Sequence, residues 1–341
     1  MYNNNYLKII IILVIPIISF VIGFINFEDS IGGAKKDFEV HEIYIWKFYN
    51  DFRETLANFG LNEGIRNLPT FYILSSGIFT LGLDISYLRY FNLLSLIIII
   101  IFFYKCLSLR FKNLRSETIF FLISCLLFSP TVRSLINYPY PFIWGLSFYL
   151  VSIFYFLKFK LEGTNYLKNS ILCVTYLSIS AYFTPNFSVF ILYFFYFFYS
   201  KFKFNKNLFL IMILSIILSL PALVLLVLND FYLFKGEVFP LSLFETYNLF
   251  NKIIIISSFL IIFFLPFISF EKVFKSNIKK KLLNIRFYLL ITFGLICILF
   301  FDFRLGAGGG IFFQISKFLF NNNLLIFLSL ILFLTIFYTL N

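Results

Sequence analysis

Leu208-Phe209-Leu210-Ile211-Met212-Ile213-Leu214-Ser215-Ile216-Ile217-Leu218-Ser219-Leu220-Pro221-Ala222-Leu223-Val224-Leu225-Leu226-Val227-Leu228 decides the class of this protein. The run holds no charged residue. Crossing the hydrocarbon of a bilayer takes about 20 apolar residues in a helix, and this run supplies them. Working outward, further apolar runs lie at residues 7–27, 90–107, 118–130, 142–157, 170–183, 187–200, 253–270, 287–301 and 324–340. The shorter ones are expected to extend into their flanks. The first has Lys8 at its start and no small-residue cleavage site after it, so it reads as a retained anchor. The expected architecture is all-α and polytopic, with about ten transmembrane helices in a single membrane domain over residues 1–341.

Composition agrees. Of 341 residues, 61% are hydrophobic and only 13% charged, and the mean hydropathy is +0.93. A soluble domain runs nearer a quarter charged. This excludes an ordinary soluble enzyme, a disordered tail and a disulfide scaffold. The four cysteines, Cys106, Cys125, Cys173 and Cys297, fall in apolar runs and read as small buried hydrophobes. The formal net charge of +12 would point to nucleic acid in a soluble protein. In a membrane protein it is first a topology signal, because basic residues collect in cytoplasmic loops. No nucleic-acid partner is expected.

The loop charges alternate. Residues 105–117, 158–168, 201–206 and 271–286 are net +3, +2, +3 and +5, and read as cytoplasmic. The loop at 27–70 is net −3 and reads as outer, with both termini inside. One more apolar run, 68–83, contains Pro69, Gly77 and Gly82. Were it a crossing, every later loop would invert. It therefore reads as a short helix at the outer interface, and residues 28–88 form a first extracytoplasmic loop with interfacial helices. No ionisable residue lies deep in any of the ten runs, which argues against an ion-coupled transporter. The first outer loop instead holds eight of the sixteen acids and the only histidine.

That loop reads Gly32-Gly33-Ala34-Lys35-Lys36-Asp37-Phe38-Glu39-Val40-His41-Glu42-Ile43-Tyr44-Ile45-Trp46. A helix is expected to begin near Asp37, a good N-cap residue in the place where negative charge is favoured. Apolar residues at Ile45, Tyr49, Phe52, Leu56 and Phe59 give it an amphipathic stripe along the membrane surface. Asp37 and His41, four apart, would share a face near the headgroups.

An outer loop after the first span, with Asp37-Phe38-Glu39 and His41 four residues after the Asp, resembles the GT-C superfamily of polytopic glycosyltransferases. The acidic string is similar to that of the dolichyl-phosphate-glucose-dependent glucosyltransferases. Asp37 with His41 resembles the pattern of the alpha-1,2-glucosyltransferases and the protein-mannosyltransferase-like enzymes. Downstream, Asn67-Leu68-Pro69-Thr70-Phe71-Tyr72-Ile73-Leu74 resembles their Pro-x-x-Tyr-x-Leu interfacial helix. Leu88-Arg89-Tyr90-Phe91-Asn92-Leu93-Leu94 resembles the start of their second span, and Phe128-Ser129-Pro130 the end of their third.

The resemblance implies transfer of a hexose from a polyprenyl-phosphate-sugar donor to an acceptor hydroxyl on a glycolipid, glycan or protein. Transfer would take place at the extracytoplasmic face, with inversion. The membrane would be a bacterial plasma membrane, or that of the endoplasmic reticulum in a eukaryote. Such an attack needs a general base. Asp37 is the first candidate, and Glu39 the second because Phe38 separates it from Asp37. His41 would orient the carboxylate or touch the sugar or phosphate; a surface pairing with Glu39 or Glu42 is equally open. The leaving lipid phosphate asks for cations, and the candidates are Arg304, Arg133, Lys317 and Arg66. Arg304 lies in the stretch Asp302-Phe303-Arg304-Leu305-Gly306-Ala307-Gly308-Gly309-Gly310, whose glycines suit either an anion cradle or a flexible connector. Arg133 falls in an outer loop at 131–140, and Arg66 and Arg89 also suit simple interface anchoring. No cofactor and no divalent metal site is indicated. The rival reading is a lipid-linked oligosaccharide flippase or polymerase, or another polytopic transporter.

Overall fold

In the computed structural model, the described residues are 3–60, 67–229, 246–264, 284–301 and 310–340. All secondary structure among them is helical. The reason is the solvent: hydrocarbon offers no partner to a backbone N–H or C=O, so a helix that closes its own bonds is the economical local solution. Large apolar side chains stand exposed along many helices, such as Ile18, Ile22, Ile97, Leu192, Ile216 and Leu228. In water such a surface would drive association; in a bilayer it matches its surroundings. The chain is an all-α membrane protein.

The backbone clusters into two units, Met1–Gly236 and Glu237–Asn341. The first contains α1 (Asn3–Ile25), α2 (Ala34–Asn50), α3 (Phe52–Ala57), α4 (Thr70–Thr80), α5 (Leu88–Arg110) and α6 (Ser116–Phe128). It continues with α7 (Pro130–Asn137), α8 (Pro141–Leu161), α9 (Tyr166–Phe183), α10 (Phe190–Phe202) and α11 (Lys206–Leu228). The second contains α12 (Thr246–Phe264), α13 (Ile285–Leu299), α14 (Gly310–Phe320) and α15 (Leu324–Leu340), around a small core of Ile254, Cys297, Ile326, Leu330 and Leu334.

Among the described residues, three helices are long and apolar enough to cross a bilayer: Ile85–Arg110, Pro141–Leu161 and Lys206–Leu228. A fourth would be the pair α6 and α7, bent by 56° where the run at 118–130 was expected to be one crossing. The break has a local cause. Pro130 has no N–H to give to the preceding turn, and the Ser129 hydroxyl accepts from Val132 N, so a new helix starts there. The outer loop expected at 131–140 is therefore largely helix α7. With 11 residues, α4 spans only about 16 Å, well short of a crossing.

Within the first unit, α8 packs between α5 and α9, α1 packs on α6, and α9 packs on α11. Small residues allow the α8–α9 approach. Ser180 Oγ donates to Gly145 O at 2.7 Å, Ser152 Oγ donates to Cys173 O at 2.8 Å, and both serines are fully buried. Cys106, Cys173 and Cys297 are buried as expected, but Cys125 is exposed. It lies on the side of α6 away from the packed helices, where an apolar run meets lipid as readily as protein.

A Cβ on Gly145 would stand 2.8 Å from Thr184 Oγ1 and 3.1 Å from Phe187 Cε2. We expect Gly145→Ala to destabilise the protein by about 1–3 kcal/mol through overpacking. A lowered melting temperature in detergent would show it; an unchanged one would contradict the close α8–α9 contact.

Candidate functional site

The acidic loop is built as one helix laid on another. α2 buries Ala34, His41, Tyr44, Ile45 and Phe48. α4 answers with Phe71, Tyr72, Ser75, Ser76 and Ile78. Tyr44, Ile45, Phe48, Phe59, Phe71 and Tyr72 share one core cluster, which reaches Phe183 at the end of α9. Trp46 stacks on Phe79 with ring centroids 3.9 Å apart. The expected stripe is displaced: Tyr49 and Phe52 are exposed. The cause is Asp51, whose carboxylate accepts from Glu54 N and starts α3, so the helix does not run on to Phe59.

The start of α2 also differs from expectation. It begins at Ala34, not near Asp37, and Gly33 at the cap makes no side-chain bond. Asp29 does that work from upstream. Its Oδ1 accepts from Gly32 N at 3.1 Å and Ala34 N at 3.3 Å, and its Oδ2 from Lys35 N at 3.2 Å. Partial burial pushes this carboxyl up, but the backbone N–H groups outweigh it and hold it below its ordinary value. Asp29 was legible in one respect: it is an acid just ahead of the Gly32-Gly33 pair that precedes the helix.

Asp37 and Glu39 are both exposed residues of α2. His41 does not share that exposure, and its surface pairing with Glu39 or Glu42 is replaced by a buried one. His41 is 8% exposed; its Nδ1 and the Tyr72 hydroxyl share a hydrogen bond of 2.8 Å, and its ring stands edge-on to Tyr140 at 4.6 Å. On one face of α2, Asp37 is thus exposed while His41, one turn further on, is buried.

Arg133 sits on α7 and points at α1. It forms an ion pair with Glu28, its Nη1 donates to Ser19 Oγ at 2.8 Å and its Nη2 to Ser19 O at 2.9 Å. The Arg133 guanidinium holds the Glu28 carboxyl below its ordinary value, against a smaller opposing effect of burial. Gly23 makes room for this pair, because a Cβ there would overlap both partners. Next to it, Asn137 Nδ2 donates to Glu28 O at 3.1 Å, and Ile31 N donates to Ser134 Oγ at 3.1 Å. Asn92, fully buried on α5, donates to Leu135 O and accepts from Trp144 Nε1, both at 2.9 Å. Glu28 and Asn137 had not been singled out from the sequence, and Tyr72 and Asn92 entered only as members of motifs, with no role of their own. A lone Asn inside an apolar run was the available signal for Asn92.

Lys317 lies in the last turn of α14, in the second unit, and is exposed. Arg66, Arg304 and the glycine stretch at 302–309 lie outside the described residues. Among the described residues, no three His, Cys, Asp or Glu side chains gather to hold a metal ion.

No family model, no curated protein and no solved structure matches this chain. The reading of the site therefore rests on its own chemistry: two exposed carboxylates on α2, a buried imidazole on an aromatic bed, and an arginine neutralised by Glu28.

Burial disfavours the imidazolium and pulls His41 down from 6.5 to about 4. Below pH 6.5 the unfolded chain binds a proton that the folded chain refuses, so stability falls as pH drops through this window. His41 is the only histidine. We expect the melting temperature in detergent to fall between pH 6.5 and about 5, and His41→Asn to flatten that dependence. A wild-type profile as flat as the variant's would contradict the burial of His41.

Proposed function

We propose that this protein is a membrane glycosyltransferase of the GT-C kind with about ten spans, and that the α2–α4 platform is its catalytic face. The observation that carries this reading is the exposure of Asp37 and Glu39 on a helix packed against α4, in the loop that concentrates half of the chain's acids. The order of the motifs from Asp37 through Tyr72 to Asn92 supports it.

In this reading a polyprenyl-phosphate-linked hexose and an acceptor hydroxyl meet above α2. Asp37 takes the proton of the hydroxyl as its oxygen forms a bond to the anomeric carbon. The bond from that carbon to the phosphate oxygen breaks, and the polyprenyl phosphate leaves with the electron pair. Attack from the face opposite the leaving group inverts the anomeric centre. A positioned base of this kind contributes roughly 10²–10⁴-fold. The His41–Tyr72 bond, buried beneath, fixes the turn of α2 that carries Asp37 and acts as a positioning contact. Arg133, already paired with Glu28, ties α1 to α7 and so holds the loop from behind.

The test is transfer of labelled sugar from defined polyprenyl-phosphate donors by the full-length protein in nanodiscs. Asp37→Asn should lower the turnover by about 10²–10⁴-fold with little change in donor binding. Undiminished transfer by Asp37→Asn removes Asp37 from the role of base. Absence of transfer from every polyprenyl-phosphate donor removes the transferase reading.

A further inference from the structure

Arg89 is the second residue of α5 and only 6% exposed. Its guanidinium lies between two rings, 3.9 Å from the centroid of Phe24 and 3.9 Å from that of Phe27, with Tyr90 further off at 5.7 Å. A guanidinium carries five N–H donors. Here one nitrogen, Nη2, donates to Phe24 O, while the buried Nε meets no acceptor. Among the described residues no carboxylate lies within ion-pair distance of Arg89; the nearby Glu28 is taken by Arg133. A buried charge without a counter-charge or a full set of hydrogen bonds is costly. The bond to Phe24 O, in the last turn of α1, answers the helix's negative end but leaves most donors open.

The cover over Arg89 is also unusual. Phe27 is 54% exposed and holds φ +53, a left-handed conformation that costs a bulky residue energy. The Tyr138 hydroxyl donates to Phe27 O at 2.9 Å and helps to hold it there. Around it Tyr87 and Tyr90 are exposed, at 46% and 54%. Exposed aromatics of this type belong at the level of lipid headgroups.

We infer that Arg89 is an anion site for the headgroup phosphate of a bilayer phospholipid, seated at the junction of α1 and α5 under the Phe27 ring. A phosphodiester offers two unesterified oxygens in a plane that a guanidinium fork can meet. The rings of Tyr87 and Tyr90 would flank the glycerol backbone. The inference rests on the interfacial position of this junction and not on sugar transfer, so either can fail without the other.

The experiment is native mass spectrometry of the full-length protein released from mixed micelles. The probes are phosphatidylglycerol and, as a phosphate-free control, monogalactosyl diacylglycerol. Wild type should retain the phospholipid about tenfold better than the galactolipid, and Arg89→Gln should lose that preference. Phe27→Gly relieves the left-handed backbone and removes the cover, and should raise phospholipid retention about threefold. This gain is not expected if Arg89 merely caps α1, so the variant decides the matter even if Arg89→Gln does not fold. A folded Arg89→Gln with wild-type retention, or a Phe27→Gly that does not gain, overturns the site. Displacement of the lipid by inorganic phosphate at equal concentration would also overturn it, because the anion would then be free phosphate.

Discussion

A backbone in hydrocarbon has no solvent partner, and this one constraint shapes the whole chain. It makes every described element helical. It also decides what happens where a helix stops. At Ser129-Pro130 the missing N–H of proline is absorbed by a serine cap and an immediate second helix. At the end of α1, Phe24 O accepts from Arg89. At the start of α2, Asp29 takes up N–H groups that the helix itself leaves open.

These end-group arrangements meet at one place, the turn between α1 and α2. Arg133 and Asn137 of α7, Arg89 of α5 and Tyr138 all bind the backbone or side chains of residues 19–28. The turn is thus held by α5 and by α7 with its cap residue. Such a grip gives the acidic loop a fixed base, and α2 lies on α4 through aromatic contacts. The exposed carboxylates of Asp37 and Glu39 thus ride on a packed helix.

Much of the candidate site was legible in the residues. The acids lie together between the first two apolar runs, and the charge alternation read 68–83 as a short helix that does not cross; α4 is an 11-residue helix there. The roles within the loop were less legible. Asp37 looked like the cap because it precedes an apolar stripe, yet Asp29 caps, since the chain loops back through Gly32, at φ +72, to present it. Arg133 looked like a loop cation open to substrate. Its partners Glu28 and Ser19 are more than 100 residues away in sequence, and no local pattern announces such a pairing.

Composition and apolar run length alone determined that this chain is a helical membrane protein, because burial of side chains and closure of backbone bonds in lipid depend only on what each segment contains. Only the tertiary structure decided which charges are spent and which are open. Glu28 neutralises Arg133, while Arg89 keeps most of its donors. His41 is buried while Asp37, one helical turn before it on the same face, is exposed. The physical reason is distance: ion pairing and desolvation act between groups that folding brings within a few ångströms, and sequence separation carries no record of that.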